Sequence, residues 1–440
     1  MRVGIVLFTR DLRVHDNPAL AAACEECERV VPLFVLDEAV LVRFGAPNRV
    51  AFLLESLRDL DRSLRARGGA LVVRRGDVVG EVAAVGADAV YLAEDVSSYA
   101  RRREGALRTA RLDVRVSPGV TVIPPGQLRP SGGGDHFSVF TPYWRRWREA
   151  PRRALLHPPG AVRLPEGIEP GFIPEPDVAE LSRQVPRGGE AEGRARLEAW
   201  LASGLGAYGS GRDVLAEDAT SRLSPYLRFG CISPLEAVER AVGLPGGEEF
   251  VRQLCWRDFH YQLFAARPEL SWEDMRPRGD RWRDDELALE AWKEGLTGYP
   301  LVDAGMRQLR AEGFMHNRAR LATASFLTKH LYVDWRVGGA HFADLLVDGD
   351  IPNNLGNWQW VAGTGADTRP NRMFNPTRQA QRYDPRGDYV RRWVPELAGI
   401  EGAAVHEPWR LGLLAAPEYP TPIVDHDEAV ARFRTARALS

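Results

Sequence analysis

Short runs of β-branched and aliphatic residues, separated by segments with helical spacing, leave the first 120 residues few ways to fold. Residues 3–8, 30–36, 70–74, 89–92 and 113–116 read as strands apolar on both faces. Between them, residues 48–66 set Phe52, Leu53, Leu57, Leu60 and Leu64 at helical spacing. Strands buried on both faces and joined by helices make a parallel sheet covered on each side. The expectation is a doubly wound, five-stranded α/β domain over residues 1–122, with its ligand crevice at the carboxyl ends of the strands.

The pattern changes at residue 123. Over 123–189 it dissolves into Pro and Gly (PPGQLRPSGGG, LLHPPG, LPEGIEPGFIPEPD), which predicts a long connector draped over other structure. From 190 to 440 strand patterns vanish, and the expectation is an all-α domain. All twelve tryptophans lie beyond residue 143, so none serves the α/β core. In a helical domain they either fill gaps or stack on bases and relay electrons.

Composition excludes several classes. With 58 basic against 60 acidic side chains the chain is no polybasic nucleic-acid coat, although a local basic groove is still allowed. Four cysteines in 440 residues make no disulfide scaffold. Cys24 and Cys27 form a C-x-x-C, but Cys231 and Cys255 stand far from it, so no metal site is expected and the thiols are expected free. No stretch reaches the ~18 apolar residues of a membrane span, and the early apolar run lacks a cleavage site. The expected location is the cytoplasm, with no membrane association.

Three segments carry the chemistry. Tyr208 followed by ATSRLSPYLRFG offers Thr220, Ser221 and Ser224 near a helix start, a natural place for phosphate. In QLCWRDFHYQ, helical spacing puts Gln253, Trp256 and Arg257 on one face, where an indole can stack a base while a polar group reads its edge. The third region, 282–393, supplies Arg320 with Asp348 and Asp350 for a polar, partly buried ligand. Within it, residues 369–392 hold seven Arg against two Asp, which reads as an irregular loop tracking phosphates.

FTRDLRVHDNPAL, TSRLSPYLRFG, WRDF, TGYPLVDAGMRQL, MHNRARL and DGDIPNNLGNWQW together, in this order, resemble the photolyase/cryptochrome family over nearly the whole chain. Within that family the chain is most similar to the class I cyclobutane pyrimidine dimer photolyases. The resemblance implies an α/β antenna domain, a connector and a helical domain holding FAD. It implies Tyr208, Thr220, Ser221, Leu223 and Ser224 around the FAD phosphates. Arg257, Asn317, Arg320, Asp348 and Asp350 would surround the ribityl chain and ring, with Asn354 at flavin N5. Trp358, Trp335 and Trp282 match the family's electron-transfer chain, with Trp272 as a rival for its outer member.

The implied activity is light-driven repair of pyrimidine dimers in damaged DNA, in which reduced, photoexcited FAD lends an electron to a flipped-out dimer. Stacking on Trp256 and Trp360 would return roughly 1–3 kcal/mol per base against the cost of flipping. Gln253, Asn317 and Leu321 would border the lesion, with Arg212 and Gln379 at flanking phosphates. An antenna chromophore, a deazaflavin or a folate, would contact Arg49, Phe52, Asp95 and Arg228. A monomer with no obligate protein partner is expected.

The chain departs from the pattern at two places. Gln253 stands where most cyclobutane-dimer photolyases have Glu, and Leu321 where Met is common. Gln253 also fits the (6-4) branch and animal cryptochromes, but (6-4) repair needs histidines at positions 317 and 321, which here are Asn and Leu. His316, the His of MHN, reads as structural. The alternative functions are therefore (6-4) repair, which lacks its histidines, and a cryptochrome-like blue-light receptor, which usually carries a longer tail.

Overall fold

The computed structural model describes residues 2–176, 181–412 and 416–438, so residues 177–180 of the expected connector lie outside it. The chain opens with β1 (Val3–Leu7), α1 (Pro18–Glu26), β2 (Arg29–Leu36), α2 (Glu38–Phe44), α3 (Pro47–Arg65) and β3 (Val72–Arg75). It continues through α4 (Val78–Val85), β4 (Ala89–Ala93), α5 (Ser98–Thr109) and β5 (Val114–Ser117). The five strands form one parallel sheet in the order β3-β2-β1-β4-β5. The order reverses between β1 and β4, which places the crevice of a doubly wound sheet at their carboxyl ends.

Burial on both faces holds for the inner strands β1, β2 and β4. The outer strands expose part of one side (Arg75 on β3, Val116 on β5), because an edge strand has a neighbour on one side only. One sheet face packs on α4 and α5 through Ile5, Leu33, Val82 and Leu107. The other faces α1 and α3, and its core runs on without a break into the helical half. Phe52 of α3 lies 5.2 Å from Tyr226 and 5.0 Å from Phe229.

The Pro- and Gly-rich stretch after β5 has little regular structure among its described residues, but it contains a helix that its composition obscures: α6 (Phe140–Glu149). Phe140, Tyr143, Trp144 and Trp147 recur there at helical spacing and are all buried. The helical half follows with α7 (Glu190–Ala199), α8 (Tyr208–Gly211), α9 (Ser224–Phe229), α10 (Pro234–Ala241) and α11 (Gly247–Ala266). Then come α12 (Glu286–Glu294), α13 (Pro300–Glu312), α14 (Asn317–Ser325), α15 (Trp335–Leu345) and α16 (Ile351–Ala362). The chain ends with α17 (Pro376–Tyr383), α18 (Asp388–Trp393) and α19 (His426–Ala436), and no strand occurs beyond β5 among the described residues. No helix among them is long and apolar enough to cross a membrane.

Two buried carboxylates tie the parts together. On α11, Asp258 accepts the backbone N–H groups of Val122 (2.9 Å) and Ile123 (3.0 Å) and the indole N–H of Trp147 (2.9 Å). Glu190, at the start of α7, accepts from the N–H groups of Val14 (2.8 Å) and His15 (3.0 Å). Arg13 completes the clasp, donating to the carbonyls of Gly230 (2.9 Å) and Gly119 (3.1 Å). Much of the FTRDLRVHDNPAL motif is thus an interdomain fastening.

Candidate functional site

The carboxyl end of β1 leads straight into Arg10, which lies buried where the two halves meet. Its guanidinium donates to Asp95 beyond β4 (3.4 Å), to Asp350 ahead of α16 (3.2 Å), to the carbonyl of Arg228 (3.1 Å) and to the Tyr261 hydroxyl. Tyr261 in turn donates to Asp350 Oδ2 at 2.8 Å. Arg257 reaches the same knot from α11, its guanidinium 4.4 Å from the Tyr261 ring, while donating to the carbonyl of Val120 (2.6 Å).

Burial opposes the charge on Asp350, but Arg10, Arg257 and Arg228 outweigh it and hold the carboxyl below the ordinary range. Asp350 precedes α16 without capping it, and its Oδ1 is buried with no hydrogen-bond partner. An ionised oxygen left in that state is costly unless a ligand donor meets it. The Thr220 hydroxyl is likewise buried and unpartnered.

The other residues expected around a cofactor are spread over several elements of the helical half. Leu223 is sealed in the core, Ser224 opens α9, and Ser221 Oγ accepts from the Leu223 N–H at 3.4 Å. Tyr208 lies edge-on to Trp200 at 5.3 Å, with the Arg212 guanidinium 5.7 Å from its ring. Arg320 is aimed by the Met315 carbonyl (2.8 Å) and pairs with Asp348 at 3.2 Å. Asn317, the first residue of α14, is exposed. Asn354 on α16 gives its amide N–H to the Gly339 carbonyl at 2.9 Å, which leaves Oδ1 as its free end. His316 caps α14 by accepting from the Arg318 N–H at 3.2 Å, and burial pulls its imidazole down to about 4.

Trp358 and Trp335 are buried in one cluster on α16 and α15. Gly338 lets these helices close, because a Cβ there would come within 2.3 Å of the Trp358 ring. The Trp335 indole donates to Asp274 at 2.8 Å, and the Arg336 guanidinium lies 4.6 Å over its ring. Trp282 borders the cluster, 5.1 Å from Tyr332. Trp272 is 55% exposed and touches this region through its carbonyl, which accepts from Arg336 at 2.7 Å.

The expected face of α11 is divided. Gln253 is exposed, Trp256 half-buried and Arg257 turned into the interdomain knot, because neighbours close around this helix. One face of Trp256 is already taken: Phe140 stacks on it at 3.7 Å and 6°. Leu321 and Gln379 are half-buried. The basic segment corrects the expectation of an irregular loop, since Asn375 caps α17 by accepting from the Arg378 N–H (3.0 Å) and α18 follows. Its irregular parts are the stretch before Pro376, where Arg372 lies 5.2 Å from the Trp360 ring, and the short turn at 384–387 between the two helices.

The crevice at the end of β4 has a volume of about 340 Å³ and is bordered by Glu94, Asp95, Arg101, Arg129 and Gln262. Burial pushes the Glu94 carboxyl up to about 7. Of the four residues expected around an antenna chromophore, Asp95 borders this crevice. Arg49 instead donates to the backbone carbonyls of Phe44 (2.8 Å) and Leu346 (3.2 Å), and Phe52 is fully buried behind Phe229. Sequence reasoning missed Arg10, Tyr261 and Glu94, although Arg10 and Glu94 follow the two strands at the switch point, where a ligand crevice is expected. Among the described residues no His, Cys, Asp or Glu cluster could hold a metal, and all four cysteines are free.

The family model for the FAD binding domain of DNA photolyase matches residues 250–438, and that for DNA photolyase matches 4–163. The chain is 56% identical to a deoxyribodipyrimidine photo-lyase of Streptomyces griseus, over 100% of both chains. It is 36% identical to a cryptochrome DASH of Gloeobacter violaceus, covering 97% of this chain and 94% of that one. A crystal structure of a class III photolyase from Agrobacterium tumefaciens superposes with a TM-score of 0.90 at 36% identity, covering 100% of this chain and 97% of that chain.

Proposed function

The chain belongs to the photolyase/cryptochrome family, and from that premise we propose that it repairs cyclobutane pyrimidine dimers in DNA under light. The observation that carries the reading is the unpartnered, buried Asp350 Oδ1 inside a cage of three arginines. It is an acceptor prepared for an N–H donor, as a flavin ring imide is. The Thr220 hydroxyl, the Arg320–Asp348 pair and the outward Oδ1 of Asn354 are the other groups that would hold FAD. When bound, FAD supplies the photoexcited electron that opens the cyclobutane ring.

The chain's own residues do the rest. The Arg10–Asp350–Tyr261 knot fixes one end of the cofactor site across the two halves, so the site exists only when the halves are docked. Asn354 presents an acceptor to a protonated ring nitrogen, because turning its amide over would break the bond to Gly339. Trp358, Trp335 and Trp282 form a path of oxidisable rings from the core to its border, with Trp335 held by Asp274. Trp360 and the free face of Trp256 would flank a flipped dimer, and Gln253 would hydrogen-bond it without offering a proton-sharing carboxylate. Exposed arginines of the 369–392 segment would hold the neighbouring phosphates. Asn317 and Leu321 stand on one face of α14, one turn apart, and neither can act as the acid or base that a (6-4) lesion demands.

The crevice beside Glu94 and Asp95 is the place for a second chromophore, a deazaflavin or a folate. A native absorbance band in the blue identifies the first and one in the near-ultraviolet the second. Photoreception is the second reading, and it draws on the cryptochrome DASH relative. The test is to illuminate the purified protein with a reductant and then add an oligonucleotide carrying one thymine dimer. Restored thymines in the light and none in the dark support repair, and unchanged dimer in both rejects it.

A further inference from the structure

Lys329 is one of only two lysines in the chain and is 2% exposed. It sits in a widened helical turn, Phe326–Leu331, that continues α14. Its amine donates to two backbone carbonyls of the loop after α16, those of Pro370 (3.0 Å) and Arg372 (2.6 Å). Burial opposes the charge on this amine, which the two carbonyls, the Phe433 ring at 5.6 Å and the fields of Asp367 and Asp280 only partly offset, and such groups persist where they fix a conformation that something else requires.

The loop they fix is pinned from three further sides. Arg437, the residue that ends α19, is paired with Asp280 at 2.7 Å and donates to the Ala362 carbonyl at 2.8 Å. Arg276 N–H donates to the Thr364 carbonyl (2.8 Å) and Arg278 to that of Gly363 (3.1 Å). Gly363 has φ +82°, and a Cβ there would meet the Pro370 carbonyl oxygen at 2.2 Å, so the loop folds back tightly on itself. All this ordering serves an exposed side chain, Arg372, whose guanidinium lies 5.2 Å from the Trp360 ring and 4.8 Å from Phe374. No carboxylate pairs with it among the described residues.

We propose that Lys329 is the positioning residue of a clamp for damaged DNA: it holds the 370–372 backbone so that Arg372 stays over Trp360, poised for a phosphate beside the lesion. This rests on the DNA-repair reading above. A guanidinium already aligned and stacked forms a charge-assisted phosphate contact with little further ordering. The buried amine therefore acts on DNA without touching it.

The experiment measures two things on the full-length flavoprotein: tryptic cleavage after Arg372 (Arg369 precedes Pro370 and is not a tryptic site), and binding to a duplex with one thymine dimer. Lys329→Met keeps the volume but removes both donors. Cleavage in the loop is expected to accelerate, and binding to weaken about tenfold, the effect of two lost hydrogen bonds. In an Arg372→Ala background, which itself weakens binding, Lys329→Met is expected to add less than about twofold, since coupled residues are not additive. A merely structural role predicts the same loss in both backgrounds and overturns the proposal. Should Lys329→Met not fold, Lys329→Gln, whose shorter, neutral amide keeps N–H donors, takes its place with the same expectations at smaller amplitude. Faster cleavage with no DNA binding by any form, wild type included, sinks the repair reading. Tight binding by wild type and Lys329→Met alike sinks only the clamp.

Discussion

The amide nitrogen of Asn354 donates to the carbonyl oxygen of Gly339 across 2.9 Å, and this one bond between α16 and α15 decides which end of the side chain is free. The free end is an acceptor. Asn354→Ala removes it, and the photoreduced protein is expected to return to its oxidised spectrum in air about tenfold faster, the worth of one hydrogen bond. Stopped-flow absorbance after illumination checks this, and an unchanged rate excludes Asn354 from the reacting ring.

In the proposed electron relay, Trp335 would separate the two roles that light plays. With its indole bonded to Asp274 it lies buried in the same cluster as Trp358, against which Trp282 packs. Trp335→Phe is expected to slow photoreduction of the oxidised protein by at least about a hundredfold, because a gap of one ring turns two short hops into a long one. Repair by chemically reduced protein is expected to stay within about twofold of wild type. Loss of both would show that the ring packs the site and does not relay electrons.

Arg10 holds two buried carboxylates, Asp95 and Asp350, at once. Arg10→Met removes the one cation that is salt-bridged to both and leaves them to the longer-range fields of Arg228, Arg257 and Arg103, and the expected loss of stability is about 3–5 kcal/mol, with FAD content falling alongside. Urea unfolding of the two forms, followed by far-ultraviolet dichroism, measures it. A loss below about 1 kcal/mol would mean that water already screens the knot.

Glu94 gives a dependence on pH. Burial in the crevice raises its carboxyl to about 7 from an ordinary 4.5, so the folded chain keeps a proton that the unfolded chain releases between those values. Its contribution to stability is fully present below about 4.5 and is lost as pH rises through about 7. Relative to Glu94→Gln, the wild type is therefore expected to become progressively less stable from pH 4.5 to 7.5. Parallel stability curves for the two proteins would place Glu94 in water.

Which parts were legible in the sequence follows from physics. The sheet was legible because strands such as residues 30–36 must be apolar on both faces to sit inside it, and no helix of that length offers the same pattern. Helix α6 was hidden because its apolar spacing, Phe140 to Trp147, begins just after PSGGG and ends before Pro151. The grouping of Gln253, Trp256 and Arg257 followed from helical spacing alone. Spacing does not report that a partner such as Val120, distant in the chain, draws Arg257 away. Arg10 and Tyr261 escaped for the same reason: each has its meaning only through Asp350, hundreds or scores of residues away. Motif resemblance, not spacing, singled out Asp350, which these contacts tie to Arg10 and Tyr261.

The most direct test places a cyclobutane thymine dimer and a (6-4) product, on distinguishable oligonucleotides, in one vessel with the reduced protein under blue light. The cyclobutane lesion is expected to disappear with recovery of two intact thymines, the (6-4) product to persist, and a dark control to change neither. Repair of the (6-4) product without histidines at 317 and 321, or an untouched cyclobutane dimer in the light, would contradict the cyclobutane-repair reading.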